Sequence, residues 1–196
     1  MVQPPSKQLQ NILFGKKLCS QRDVQGCISR VKKLSADFPA FDSVWLDALV
    51  QTRKLTAFQV QSIETDNIQD LRIGPFVVVD RLGRGPNGDT FLANRLAAKE
   101  LVAIKRVFVP PELQTRTINA LQKLTSTFGS AERIPNLVLP TACNVVEPEP
   151  EQVRPTSMNS SSTVRGVSRE PFTPSRHVPI AVVSRYVPGW PLPLFV

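Results

Sequence analysis

The chain has 196 residues, a net charge of +8 and 41% hydrophobic residues, which suits one or two small domains with a modest core. Its Lys and Arg residues are scattered along the sequence, a pattern typical of a solvated basic surface rather than of a nucleic-acid-binding patch. No apolar run approaches the ~20 residues that span a bilayer, and the N-terminus carries no secretory signal. We therefore expect no nucleic-acid partner and no membrane segment.

The three cysteines, Cys19, Cys27 and Cys143, are odd in number and lack Cys-x-x-Cys spacing. This argues against a metal site and against a disulfide framework. Reduced thiols are typical of the cytoplasm, so we predict a cytoplasmic protein. Cys27 is predicted to be a small core residue on a helix face.

Residues 1–70 are predicted to form a helical leader of three or four short helices. Ser20 with Asp23, and Thr56 with Gln59, have the spacing of capping boxes, which mark helix N-termini. Between these caps, apolar residues at intervals of three and four predict one stripe on a single helix, formed by Val24, Cys27, Ile28, Val31 and Leu34. The leader contains no catalytic constellation, so we interpret it as a packing or adaptor module that could dock a protein partner.

From residue 71 onward the apolar pattern changes to that of strands. Runs rich in β-branched residues predict five strands, which contain residues 76–79, 90–93, 102–104, 137–146 and 178–183. A helix is predicted between the third and fourth strands, with its start in Pro110-Pro111-Glu112 and its end at Gly129. One face of this helix is predicted to be apolar, formed by Leu113, Leu121, Leu124 and Phe128. The fold class is therefore α+β, and the polar segment 147–177 is predicted to be a disordered insert.

The sequence from Gly83 to Gly88 matches the pattern Gly-x-Gly-x-x-Gly, which binds phosphates in two structural settings. In a dinucleotide-binding domain the last glycine opens a helix, whereas the residues after Gly88 favour a strand. In a hairpin that covers nucleotide phosphates, a lysine follows one strand later, and Lys105 of Val102-Ala103-Ile104-Lys105 meets this requirement. We predict the hairpin; the alternative is a chance match, with Lys105 as an ordinary surface lysine.

With these two motifs, residues 73–196 resemble the small, ATP-binding lobe of serine/threonine protein kinases. Two further segments are similar to that family: Ile134–Val138 to its His-Pro-Asn-Ile-Val sequence, and Ser184–Gly189 to the hinge between its lobes. The leader resembles the helical segment before many bacterial, especially planctomycete, kinases. The resemblance implies an antiparallel, five-stranded kinase-like small lobe over residues 71–196 with one packed helix, in which residues 186–196 are the hinge and the end.

The resemblance also implies that ATP is the ligand, with its phosphates bound by the two motifs. Gly83, Gly85 and Gly88 would cover the phosphates, because glycine lets the backbone approach them and donate N–H groups. Lys105 would pair with the α- and β-phosphates.

The same resemblance implies an adenine slot against the hinge. Leu82 and Ala103 would contact the adenine ring, and backbone groups of Tyr186 and Val187 would meet its edge. Thr90 stands where the family usually has valine at the roof of this slot.

Other residues depart from the family pattern. Thr117 occupies the position of the glutamate that pairs with the lysine in the family. Pro86 has no N–H for a phosphate, and Asp89 would place a negative charge beside a polyanionic ligand, which should weaken binding. The single histidine, His177, is not followed by Arg-Asp, so these residues lack the catalytic-loop sequence.

The sequence-based hypothesis is an ATP-binding small lobe, truncated after the hinge and not catalytically competent alone. Magnesium binding is expected only if a large lobe is present. The alternative is a non-catalytic, pseudokinase-like binding or scaffold module. An apolar C-terminal tail is predicted to offer a further surface for a protein partner or a second copy, through Trp190, Leu192, Leu194 and Phe195.

Overall fold

The computed structural model describes residues 2–36, 39–86, 88–98, 100–129, 140–145 and 178–188. The predicted insert at 147–177, the segment 134–138 and the apolar tail from residue 190 lie outside these ranges. The described residues belong to the α+β class, as predicted. Five α-helices come first, followed by an antiparallel sheet with one further helix.

The leader contains five α-helices rather than the three or four expected. They are α1 (Lys7–Gly15), α2 (Gln21–Gly26), α3 (Ile28–Ser35), α4 (Asp42–Gln51) and α5 (Ala57–Glu64). A 3₁₀ turn at Ile68–Leu71 leads into the sheet. These helices enclose one apolar core, built from Leu9, Leu13, Val24, Cys27, Val31, Ala40, Trp45, Leu46, Ala48, Leu49 and Leu55.

The helix predicted to run from Val24 to Leu34 is two helices that meet at Cys27. The Cys27 N–H bonds to the Val24 carbonyl, 3.1 Å away and three residues back, which tightens the turn and shifts the helical phase. Val31 is buried, but Ile28 and Leu34 are 40% and 39% exposed. The predicted stripe is therefore wrong at Ile28 and Leu34, whereas the prediction of Cys27 as a core residue is confirmed.

Both predicted capping boxes are confirmed. The Ser20 hydroxyl accepts a hydrogen bond from the Asp23 N–H at 3.3 Å, and the Asp23 carboxylate accepts one from the Ser20 N–H at 2.9 Å. Thr56 and Gln59 exchange the equivalent bonds at 3.2 and 3.0 Å. Each pair satisfies two backbone N–H groups at a helix N-terminus. The spacing of the two residues in the sequence was therefore sufficient to predict where these helices begin.

The described sheet has six antiparallel strands, one more than predicted. They are β1 (Arg72–Ile73), β2 (Phe76–Gly85), β3 (Gly88–Arg95), β4 (Glu100–Val109), β5 (Pro140–Val145) and β6 (Val178–Arg185), in the order β1-β2-β3-β4-β6-β5. The additional strand, β1, is only two residues long. Gly74 adopts a φ of +55°, which lets the chain turn back so that Ile73 pairs with Phe76.

Helix α6 (Pro111–Gly129) begins and ends where the sequence predicted, between β4 and β5 in the chain. It packs mainly on β5 and also contacts β4 and β6. Its predicted apolar face is partly wrong, because Leu113 and Leu124 are 48% and 37% exposed. The residues with partly buried side chains instead follow a stripe offset from those leucines, formed by Gln114, Thr117, Ile118, Leu121 and Thr125.

The two faces of the sheet differ in composition. Because directly paired residues share a face, the strand registers assign each side chain to one of them. We call the apolar one the covered face; its buried core consists of Ile73, Phe76, Val78, Phe91, Ala93, Val102, Ile104, Ala181 and Val183. We call the opposite one the lysine face. Its central rows carry Asp80, Gly83, Thr90, Leu92, Ala103, Lys105, Val182 and Ser184, and its ends carry the buried Val77, Val109 and Ile180.

The leader closes over the covered face through α5. The Phe58 ring lies 6.2 Å from the Phe91 ring, and Arg81 lies 5.5 Å over Phe58. The Thr56 hydroxyl donates to the Val79 carbonyl at 2.6 Å, and the buried Gln59 amide donates to the Val78 carbonyl at 2.7 Å. The residues that cap α5 therefore also fasten this helix to β2.

Candidate functional site

The glycine motif forms the closed end of the β2–β3 hairpin. Gly83 pairs with Thr90, Arg84 with Asp89, and Gly85 with Gly88. Gly88 begins strand β3 and not a helix, so the last glycine does not create the helix N-terminus that a dinucleotide-binding turn requires. We refer to residues 81–90 as the glycine hairpin.

Two glycines of this hairpin have different structural roles. Gly88 has a φ of +134°, and a Cβ there would lie 1.8 Å from the Arg106 carbonyl oxygen, so only glycine fits between β3 and β4. A Cβ on Gly83 would meet nothing within 4 Å. The space beside Gly83 is therefore open to a ligand, whereas Gly88 is required by the sheet itself.

Lys105 lies on the lysine face in the same cross-strand row as Gly83. Gly83 pairs with Thr90, Thr90 with Lys105, and Lys105 with Val182. Adjacent strands are about 4.8 Å apart, so Gly83 and Lys105 are separated by about 10 Å of backbone, a gap that a lysine side chain partly spans. Lys105 is exposed. Among the described residues, the ion pairs of the sheet involve arginines and not Lys105.

The residues predicted to contact adenine are less closely grouped. Ala103 is half-buried on the lysine face, paired with Leu92 and Ser184. Leu82 lies in an irregularity of β2 between Arg81 and Gly83 and is exposed. Tyr186 and Val187 follow directly after β6; Tyr186 is half-buried and Val187 is exposed. The structure thus brings Gly83, Ala103 and Lys105 onto one face, with Leu82 at its margin and the other two at the end of β6.

Helix α6 offers no acidic partner for Lys105 along its sheet-facing stripe. Thr117, the residue aligned with the glutamate of the kinase family, is half-buried in that stripe. The one acid of α6 is Glu112, which is exposed in the first turn. Lys105 must therefore be positioned by the sheet or by a ligand and not by an ion pair to this helix.

The sequence did not predict a charge network on the covered face. Arg106 donates to Asp70 of the 3₁₀ turn at 2.6 Å, and its other terminal nitrogen lies 3.7 Å from Asp89. Asp89 also accepts from Arg84 at 3.2 Å. Arg81 lies 3.8 Å from Asp70. The direct pairing of Asp89 with Arg106 follows from alternation and register, but nothing in the sequence singles out Asp70 as their partner.

This network corrects the expectation that Asp89 repels a phosphate ligand. The Asp89 carboxylate lies on the face opposite to Lys105 and is neutralised by two guanidinium groups. Aromatic rings support the same arginine: Arg106 lies 5.0 Å over Phe91 and 5.4 Å over Phe108. The acid on the lysine face is instead the exposed Asp80, which pairs with Leu92 in the row next to that of Lys105.

Three groups of the leader have shifted pKa values: Cys19, Asp23 and Lys54, whose pKa is raised by its hydrogen bond to Asp23. The Lys54 ammonium, 2.6 Å from the Asp23 carboxylate, and the Ser20 hydroxyl lower the Asp23 pKa to about 2. Burial, together with the nearby Asp23 charge, raises the pKa of the Cys19 thiol to about 11. Cys19 is therefore held in its protonated, weakly nucleophilic form at neutral pH.

The described residues contain no group of three or more His, Cys, Asp or Glu side chains that could hold a metal ion. Within the same ranges, no helix is long and apolar enough to cross a membrane. No protein-family model matches the chain, and a search of curated proteins gives no significant match. The function of the chain must therefore be inferred from the geometry of the lysine face.

Proposed function

We propose that residues 71–196 bind ATP on the lysine face, in the manner of the small lobe of a serine/threonine protein kinase. The observation that carries the proposal is the row that joins Gly83 of the glycine hairpin to Lys105 across β3. A triphosphate placed above this row would meet backbone N–H groups from one side and an ammonium group from the other.

The connectivity of the sheet supports the proposal. Counting from the first long strand, Lys105 lies on the third strand, which is the strand that carries the nucleotide-binding lysine in protein kinases. Helix α6 follows that strand and packs across β5. The glycine motif occupies the turn between the first two long strands, where the kinase glycine-rich loop lies.

The residues present fit the phosphates of ATP. The space beside Gly83 is open, Lys105 is exposed, and Asp89 is turned to the other face and paired there. A carboxylate beside the phosphates would repel them; Asp89 lies on the other face, and Asp80 lies in the neighbouring row with Leu92 and Ala103 rather than in the row of Gly83 and Lys105. Adenine would lie toward Ala103 and Tyr186, at the end of the face nearest to the predicted hinge.

The proposal concerns binding and not phosphoryl transfer. The 196 residues contain neither a His-Arg-Asp sequence for the catalytic aspartate nor an Asp-Phe-Gly sequence for magnesium. Magnesium would be held by a large lobe, and this chain's own residues would bind and orient the nucleotide.

Calorimetric titration of ATP tests the proposal. Lys105→Ala removes a charge-assisted contact, so we expect the dissociation constant to rise at least about tenfold. The matched control is Lys32→Ala, which removes an exposed lysine from α3 in the leader. Equal ATP affinity in Lys105→Ala and wild-type protein, or equal losses in both variants, would contradict the proposal.

A second candidate function is a non-catalytic, pseudokinase-like scaffold. The observation that favours it is Thr117, which occupies the sheet-facing stripe of α6 where the kinase family has its glutamate. A scaffold of this kind would present the leader or the exposed Leu113 and Leu124 to a protein partner. Absence of measurable ATP binding by the wild-type protein would favour this function over the first.

A further inference from the structure

Arg106 connects three parts of the molecule that are distant in sequence. It follows Lys105 directly on β4 and therefore points to the opposite face of the sheet. Its guanidinium binds Asp70 in the 3₁₀ turn that ends the leader and approaches Asp89 in the glycine hairpin. One side chain thus contacts both the leader and the hairpin, next to the lysine of the proposed ATP site.

The contact with the leader is short and shielded from water. Arg106 and Asp70 lie 2.6 Å apart, and their side chains are 14% and 11% exposed. Removing one partner of such a pair leaves the other charge buried without full compensation, which costs more than losing an exposed pair. Arg81, 3.8 Å from the same carboxylate, adds a second link between the 3₁₀ turn and β2.

The contact with the hairpin is made by both side chain and backbone. The Arg106 guanidinium lies 3.7 Å from Asp89, and Asp89 in turn pairs with Arg84 on the opposing strand at 3.2 Å. Gly88 approaches so closely that a Cβ would lie 1.8 Å from the Arg106 carbonyl oxygen. The last pairs of the hairpin therefore depend on the position of Arg106.

We propose that Arg106 is a positioning residue through which the leader orders the glycine hairpin and thereby raises nucleotide affinity. This inference rests on the proposed ATP site, because the affinity it concerns is that of the lysine face. Asp70 of the leader fixes the side chain of Arg106. Arg106 in turn fixes Asp89 and Gly88, and these two residues hold the glycine hairpin over the phosphates. By linkage, bound nucleotide strengthens the leader's contact with the sheet by the same factor.

The experiment breaks the leader end of this connection at Asp70, which loses its 2.6 Å contact with Arg106 and its weaker 3.8 Å contact with Arg81 of the hairpin. Asp70→Asn is compared with wild-type protein and with Asp47→Asn, which removes an exposed aspartate from α4. Two quantities are measured in the full chain: the ATP dissociation constant, and backbone hydrogen exchange in peptides from the glycine hairpin and from β6. Asp70→Asn is expected to weaken ATP binding about fivefold or more and to speed exchange in the hairpin but not in β6. Asp47→Asn is expected to change neither quantity.

The outcomes separate this inference from the proposed function. ATP affinity within twofold of wild type in Asp70→Asn overturns the inference, as does faster exchange spread equally over hairpin and β6, which indicates general destabilisation. If the wild-type protein does not bind ATP, the proposed function fails, and hydrogen exchange alone decides whether the leader orders the hairpin. Arg81→Gln, which removes only the weaker Asp70 contact, is measured in the same way, and a loss of affinity equal to that of Asp70→Asn would assign the connection to Arg81 and overturn the inference. If Asp70→Asn does not fold, Asp70→Glu, which keeps the charge but displaces it from Arg106, replaces it with the same two measurements and the same expectations.

Discussion

The two faces of the sheet are held by different interactions. The covered face buries a continuous apolar set centred on Phe91, Ile104 and Val183, and α5 of the leader closes over it. The lysine face has glycine, threonine, alanine and lysine in its central rows, and Lys105 is exposed. The ends of the lysine face are also buried, at Val77, Val109 and Ile180, so the surface open to a ligand is the central part around Gly83 and Lys105.

The difference places two adjacent residues of β4 in separate environments. Ile104 is fully buried on the covered face, and Lys105 points to the opposite side. Stability and function should therefore respond to different residues of the same strand. Substitutions on the two faces test that separation.

Ile104→Ala should destabilise the protein by about 2–5 kcal/mol, because it removes buried methyl groups and leaves a cavity. Lys105→Ala, one residue further, should change the free energy of unfolding by no more than about 0.5 kcal/mol. Chemical denaturation of both variants measures these values. Similar losses of unfolding free energy in the two variants would show that Lys105 contributes to stability as much as Ile104 does.

Gly88→Ala should cost at least about 2 kcal/mol, because its φ of +134° is strained for alanine and the added Cβ would meet the Arg106 carbonyl. Gly83→Ala is the matched control in the same hairpin. Its Cβ would enter open space, so its free energy of unfolding should stay within about 1 kcal/mol of wild type. Thermal unfolding compares the stability of the two variants. An equal loss of stability in Gly83→Ala would show that the two glycines do not differ in their structural roles.

Asp89→Asn tests whether the Asp89 carboxylate lies beside the ligand or in the arginine network of the covered face. If it opposed a phosphate, as the sequence suggested, its removal would tighten ATP binding. Because it pairs with Arg106 and Arg84, we expect no tightening and a stability loss of about 1–2 kcal/mol. ATP titration and denaturation measure both quantities, and an affinity gain of fivefold or more would place the charge beside the ligand after all.

Asp23→Asn should have the smallest effect, about 1 kcal/mol or less, because the Asp23–Lys54 pair is largely exposed to solvent. The Asp23 pKa falls from 3.8 to about 2 on folding, so the carboxylate stabilises the protein above pH 3.8. That contribution is lost as the pH falls from about 4 toward 2. The stability difference between wild type and variant should therefore shrink over this window, as measured by urea denaturation at several pH values. A difference that stays constant down to pH 2 would contradict the lowered pKa.

Local signals in the sequence predicted local structure well. The capping boxes at Ser20 and Thr56 were confirmed because each depends on residues three positions apart. The β2–β3 hairpin and the bounds of α6 followed from glycine, proline and β-branched patterns of similar range.

Features that depend on distant contacts were not predicted. The break at Cys27 and the exposed Leu113 and Leu124 depend on which neighbours each helix meets, and periodicity does not encode this. Asp70 was missed because its partner, Arg106, is 36 residues away in the sequence. For the site itself, the motifs located Gly83 and Lys105, whereas the row that relates them required the strand register.

The most direct test of the central claim is covalent labelling of the intact protein with an ATP acyl phosphate, a reagent that transfers its acyl group to a lysine amine beside the bound phosphates. Mass spectrometry then identifies the labelled lysines with and without excess ATP. The proposed ATP site on the lysine face predicts that Lys105 is acylated preferentially and that ATP blocks its labelling. Labelling spread over exposed lysines such as Lys32 and unaffected by ATP would contradict the account.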